Sequence, residues 1–215
     1  FNKMINLDYT KPLSKEFIIE NKDKINWKEI SKYQKLNEDF IREFQDKVFW
    51  SIISKYQKLS ENFIIAFQDK VYWYLISTYQ KLSENFIRKF NDKIFIENLN
   101  RNHILSEEFI REFQDRVNWY YISIHQKLSE DFIIEFQDKI DWIEISYHQK
   151  LSVEFILKFK DKINWRNLLY KYGYYMRYAD NTYYIESNNN YCSDDLLFPE
   201  FINLALRLIS LKIFQ

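Results

Sequence analysis

Glycine is almost absent: the chain has one in 215 residues, Gly173. Phosphate-cradling loops, dinucleotide fingerprints and nucleophile elbows need glycine where backbone approaches a ligand or takes positive φ, so these chemistries are excluded. Tight β-hairpin folds use glycine freely and are disfavoured too. Proline is nearly as scarce, with two residues, and Cys192 is alone, so no internal disulfide can form and a reducing compartment is the plain reading. Asp194 and Asp195 beside that cysteine disfavour a thiolate nucleophile. Net charge is lacking as well: 31 basic and 31 acidic residues balance to zero, against a polyanion as main partner. No cationic, apolar leader opens the chain, which begins at Phe1 and so reads as a segment of a longer protein. The most apolar stretch, 201–214, is interrupted by Arg207 and Lys212 and falls short of the ~20 apolar residues a membrane span needs.

What the chain does have is aromatic side chains, at 20%, and a repeat. Leu13, Leu36, Leu59, Leu82, Leu105, Leu128 and Leu151 recur every 23 residues. Phe follows each leucine at four residues and Asp at ten, the Asp always trailed by Lys or, once, Arg116. All six tryptophans fall in one column, with Ile96 in the seventh place. The consensus reads L-S-E-x-F-I-x-x-F-Q-D-K-[IV]-x-W-x-x-I-S-x-Y-Q-K.

Each unit reads as two short helices. Ser or Asn stands at every N-cap position of helix A, followed by an acidic residue that meets the positive end of the helix dipole. Phe40, Ile41, Phe44 and Val48 mark one apolar face at helical spacing. Trp50, Ile53, Ser54 and Gln57 mark the buried arc of helix B. Helices near ten residues are too short to stand alone, so each must bury its face on its neighbours. The predicted fold class is therefore all-α: an α-solenoid of seven two-helix repeats over 13–173, preceded by an N-terminal cap over 1–12. Residues 174–215 read as a C-terminal capping region. It combines a Tyr-rich segment with a small β-hairpin about Asp180 and Asn181, and a last helix over 199–214 that also offers a surface for self-association.

The repeat resembles the 23-residue-repeat proteins of Mimivirus-like giant viruses of amoebae, in the D-K-[IV]-x-W and L-S-E-x-F-I elements at 57–73, 126–142 and 149–165. The resemblance covers about three-quarters of the chain. It implies a viral protein of the host cytoplasm, its viral factory or the virion, not secreted, and brings no activity with it.

Candidate chemistry is sparse. The Trp column shares its arc with Ile and Gln, so it reads as core. The Asp-Lys pairs read as helix caps, Asp on helix B and Lys at the end of helix A. His125 and His148 lie one repeat apart in the column of Tyr33, Tyr56 and Tyr79, but no third ligand accompanies them, so no metal is expected. No catalytic residue and no cofactor is expected either. The Gln34, Gln57, Gln80, Gln126 and Gln149 column falls on the buried arc, where an amide must be hydrogen-bonded, and reads as a ladder onto the backbone of the adjacent unit. Function is sought where repeats disagree. On the exposed arc of helix B, Tyr74, Leu75, Tyr120, Tyr121, Ile124, Ile143 and Tyr147 form apolar clusters suited to recognising another protein, host or viral. The expected function is a non-enzymatic scaffold or adaptor. The rivals are a nucleic-acid array using Lys24, Lys47, Lys70 and Lys93, and a self-assembling element of a virion or viral factory.

Overall fold

The computed structural model describes residues 5–101, 103–179 and 182–187. They form paired short helices at the sequence period: α1 (Lys15–Glu20) and α2 (Trp27–Tyr33), α3 (Glu38–Glu43) and α4 (Trp50–Tyr56), α5 (Glu61–Ala66) and α6 (Trp73–Tyr79). Next come α7 (Glu84–Lys89) and the 3₁₀ helix η1 (Ile96–Arg101), then α8 (Glu107–Glu112) and α9 (Trp119–His125). The last pairs are α10 (Glu130–Glu135) with α11 (Trp142–His148) and α12 (Val153–Lys158) with α13 (Trp165–Lys171). This is the α-solenoid architecture the period predicts. The chain divides into two compact units, residues 1–105 with 109–117, and residues 106–108 with 118–215.

The helices are six and seven residues long, shorter than the ten the apolar spacing implies. The reason is a change of backbone without a change of periodicity. Helix α3 ends at its cap Phe44, yet the Val48 amide still bonds to the Phe44 carbonyl across the turn that follows. A buried position therefore persists beyond the helix end. The N-caps form as expected: Ser14, Asn37, Ser60, Ser83, Ser129 and Ser152 each accept a bond from the amide three residues on.

The caps of helix B correct an expectation. They are Asn26, Asn118, Asp141 and Asn164, the residue before each Trp, whereas Phe49 and Tyr72 have no side chain able to cap. A serine of the preceding repeat binds the amide of the residue before the helix, at uncapped and capped junctions alike. The Ser31 hydroxyl donates to the Trp27 carbonyl at 2.7 Å and accepts from the Phe49 amide at 3.0 Å. Ser54, Ser77, Ser123 and Ser146 bond the next repeat in the same way. The Asp of the Asp-Lys pair instead faces the lysine one repeat on. Lys47, Lys70 and Lys162 reach Asp23, Asp46 and Asp138 at 2.9, 3.3 and 3.6 Å. The hydrogen bond from Lys47 holds the Asp23 carboxyl below the ordinary carboxylate range. These pairs are solvent-exposed, so each contributes only about 0–1 kcal/mol.

The glutamine ladder carries more. Gln57 is 6% exposed, and its side chain reaches three backbone groups, one at the start of its own repeat and two in the previous repeat. Its carbonyl accepts from the Leu36 amide at 3.0 Å, and its amide donates to the Ser31 and Gln34 carbonyls at 2.8 Å each. Gln80 and Gln149 repeat the pattern. Gln34 has no preceding helix pair, and segment 5–12 supplies its partners through the Tyr9 and Lys11 carbonyls. The first repeat is thereby closed by chain that lacks the repeat.

An aromatic ladder runs beside the amides. Trp27, Trp50, Trp73, Trp119 and Trp142 each stack on the two phenylalanines of the next repeat: Trp50 lies 6.3 Å from Phe63 and 5.0 Å from Phe67, centroid to centroid. Its indole N–H donates to the Gln45 carbonyl at 2.9 Å, so the polar edge is satisfied within the repeat. Trp27 and Trp165 are buried; Trp50, Trp73, Trp119 and Trp142 are half-buried. Lysines cover the remaining edge, with Lys70 over Trp50 and Lys93 over Trp73 at 5.8 and 5.4 Å.

The fourth repeat departs from this scheme. Ile96 and Leu99 are fully buried in η1, and Phe113, without a Trp on its face, is half-buried, as is Phe159, where Phe44, Phe67, Phe90 and Phe136 are buried. Arg116, the one arginine in the Lys column, closes part of that gap. It lies 6.0 Å from the Phe113 ring and donates to the Asn91 and Ile94 carbonyls at 2.9 and 3.0 Å. His103 replaces glutamine. Its Nε2 accepts from the Leu82 amide at 3.1 Å while Nδ1 donates to the Leu99 carbonyl at 2.8 Å. Burial lowers its pKa from the ordinary histidine value.

The last repeat reads as an end. Leu169 stands where serine would reach forward, and it is fully buried. Gly173 takes φ 81° where the chain leaves α13, a left-handed conformation that costs a glycine least. Strands β1 (Tyr174–Ala179) and β2 (Thr182–Ser187) then pair antiparallel, Tyr174 opposite Ser187, and β1 packs on α13. The helix anticipated over 199–214 lies outside the described residues, as does Cys192.

Candidate protein-binding face

The alternation of buried and open positions on helix B places the variable residues. Ile, Ser and Gln at three, four and seven residues after Trp turn inward, so positions one, two, five and six turn outward. In the first unit Tyr74 is 55% exposed, its ring T-shaped to that of Phe95 with centroids 5.5 Å apart, and Leu75 beside it is half-buried. In the second unit Tyr120 is 49% and Ile143 51% exposed, at equivalent positions on α9 and α11, which pack side by side.

Tyr121, Ile124 and Tyr147 are half-buried. Tyr121 lies between Tyr120 and the stacked ring of His125, at 5.6 and 6.0 Å. Tyr147 stacks on Tyr170 at 6.2 Å. The second-unit cluster is thus one apolar surface with two projecting members and three partly sunk ones. Its neighbours packed on aromatic rings are held in place, which lowers the entropy lost when a partner covers them. Tyr74 and Leu75 belong to the other unit and form a separate, smaller patch.

Of the four lysines proposed for nucleic acid, Lys24 is exposed and the other three are engaged between repeats. Lys47 and Lys70 are engaged by Asp23 and Asp46, and Lys93 donates to the Gln68 side-chain carbonyl at 3.0 Å. Each ties one repeat to the one before it. His148 pairs with Glu144 at 3.3 Å, and no group of three or more His, Cys, Asp and Glu able to hold a metal exists among the described residues.

Two columns of the surface were not read as functional from sequence. Tyr33, Tyr56 and Tyr79 are 43, 49 and 45% exposed at the end of helix B. Two residues further on, Lys35, Lys58 and Lys81 are exposed in the loops. The terminal Y-Q-K of the consensus carries the signal: the central Gln is buried, so its two neighbours point outward.

No helix among the described residues is long and apolar enough to cross a membrane. Protein-family models, curated proteins and solved structures were compared with this chain, and none matches.

Proposed function

We propose that this chain is a non-enzymatic helical-repeat adaptor that binds another protein through the outward arc of its B helices. The observation that carries the reading is the apolar surface of the second unit. Tyr120 and Ile143 project at the same repeat position on neighbouring helices, with Tyr121, Ile124 and Tyr147 around them. Soluble surfaces scatter such groups singly, whereas recognition faces gather aromatic and branched apolar residues. The likeness of the repeat to those of giant-virus proteins supports placing the adaptor in the host cytoplasm, a viral factory or the virion.

The test is affinity capture from infected amoebae with the full chain, comparing wild type and a Tyr120→Ser/Ile143→Ser variant. Both side chains are about half exposed, so the variant keeps its helical circular dichroism. Truncation of a true hot spot costs ~2 kcal/mol or more, enough to remove the partner from the captured material. Retention of every protein partner by the variant refutes the reading. Capture of nucleic acid, lost on neutralising Lys47, Lys70 and Lys93, establishes its rival.

A further inference from the structure

The first unit contains a cleft of about 880 Å³ beside the end of helix α2. Four lysines line it, Lys15, Lys32, Lys35 and Lys58, together with the rings of Tyr33 and Tyr56. No carboxylate belongs to the lining. In a chain whose basic and acidic residues are equal in number, such segregation is local and concentrates positive potential in a concave wall. The floor is apolar: Ile18, Leu36 and Phe40 are buried beneath it. The volume falls in the range of sites that enclose a ligand.

Lys35 and Lys58 are exposed and take part in no ion pair among the described residues. They differ in this from Lys47 and Lys70, which the repeat uses internally. Lys32 is fixed: it donates to the Tyr33 hydroxyl at 2.9 Å and lies 4.6 Å from that ring and 5.9 Å from the Tyr56 ring. An ammonium held between two rings is presented to the cleft without the entropy loss of a free lysine.

We infer that this cleft receives an acidic segment of a partner protein, with carboxylates on the lysine rim and apolar side chains on the floor. The inference rests on the protein-binding reading above and adds a second contact, chosen by charge. A single-stranded nucleic acid is the less favoured occupant for two reasons. Its bases need open aromatic faces for stacking. Here Lys32 and Lys55 already lie over Tyr33, Tyr56 and Tyr79, within 4.6 to 5.9 Å. Backbone binding also gains with each phosphate neutralised along a groove, and this cleft gathers four lysines at one place.

The experiment measures fluorescence anisotropy of a fluorescein-labelled peptide of alternating glutamate and leucine, titrated with the full chain. Controls are the same peptide with glutamine for glutamate, and a labelled oligothymidylate. The expected result is saturable binding of the acidic peptide, weakened by salt. A Lys35→Glu/Lys58→Glu variant should bind it at least about tenfold more weakly, and Lys35→Gln/Lys58→Gln by an intermediate factor. Lys22→Glu/Lys24→Glu makes the same change in net charge outside the lining and should bind like wild type. The inference is overturned if the acidic peptide does not bind, if the glutamine peptide binds equally, or if both charge-reversed variants lose it equally. Tighter binding of oligothymidylate than of the peptide, lost in the Lys35→Glu/Lys58→Glu variant, assigns the cleft to nucleic acid. Failure at the cleft with partner capture still dependent on Tyr120 and Ile143 removes this inference alone and leaves the adaptor reading standing.

Discussion

Replacing Gln57 by Leu isolates the contribution of the amide ladder. The leucine is similar in volume but carries no polar group, so it deletes three bonds: one from the Leu36 amide of the same repeat and two to the Ser31 and Gln34 carbonyls of the previous one. Leu36 and Gln34 are buried, so water cannot readily replace the lost partner. An orphaned buried donor costs about 1–3 kcal/mol, and the two carbonyls that lose a donor add a smaller amount each, for a loss of roughly 3–4 kcal/mol at one joint. That exceeds the exposed Asp23–Lys47 pair at the same joint several-fold. Repeat arrays unfold by neighbouring units, so a single melting temperature is a poor measure. Hydrogen exchange followed amide by amide suits the case: protection should fall at Leu36 and through α3 and α4, and change little in the second unit. Urea unfolding by far-ultraviolet circular dichroism should show an earlier transition. A Gln57→Glu variant sharpens the test. Its carboxylate would face two carbonyls, raising its folded pKa above the unfolded value of about 4.3. Its stability should therefore be best below about pH 4.3 and decline as pH rises through the folded value. Unchanged protection at Leu36 in Gln57→Leu would refute the view that the amide ladder holds the repeats together.

Two further outcomes follow from the packing and the fourth repeat. Trp73→Ala should cost ~3–5 kcal/mol by urea unfolding, because it removes the stack on Phe86 and Phe90 and the bond to the Gln68 carbonyl, whereas Tyr74→Ala, at an exposed position, should cost under ~1 kcal/mol; equal shifts would remove the register assigned to helix B. His103 is buried as a neutral ring that accepts from the Leu82 amide, and burial together with the charge of Lys81 lowers its pKa from 6.5. The unfolded chain thus binds the proton more readily, so stability holds above the ordinary histidine range and falls as pH drops through it. His103→Gln restores the amide of the other repeats, and the difference between the two proteins should widen between roughly pH 7.5 and pH 5. The exposed His125 and His148 cancel in that comparison, and a constant difference would refute the assignment.

The sequence by itself determined the architecture, because a repeated pattern states each local rule seven times. The N-caps, the buried Ile, Ser and Gln of helix B, and the outward variable arc all follow from helical periodicity, which needs no knowledge of neighbours. The glutamine ladder was legible for a related reason: a buried amide demands partners, and two of the three it finds lie on the backbone of the adjacent unit.

Tertiary structure alone decided which repeat each polar group addresses. The Asp of the Asp-Lys pair looked like a cap because it precedes helix B, but the turn after Phe44 places it outside capping reach and opposite the next lysine. The serine serves its own helix and the next one at once, a role invisible without knowing that Phe49 lies over Ser31. The lysine-lined cleft was hidden for the same reason. Lys15, Lys32, Lys35 and Lys58 are scattered along the chain, and only the stacking of successive units brings their charges around one cavity. Periodicity decides which way a side chain points, but what it meets there depends on the neighbouring unit.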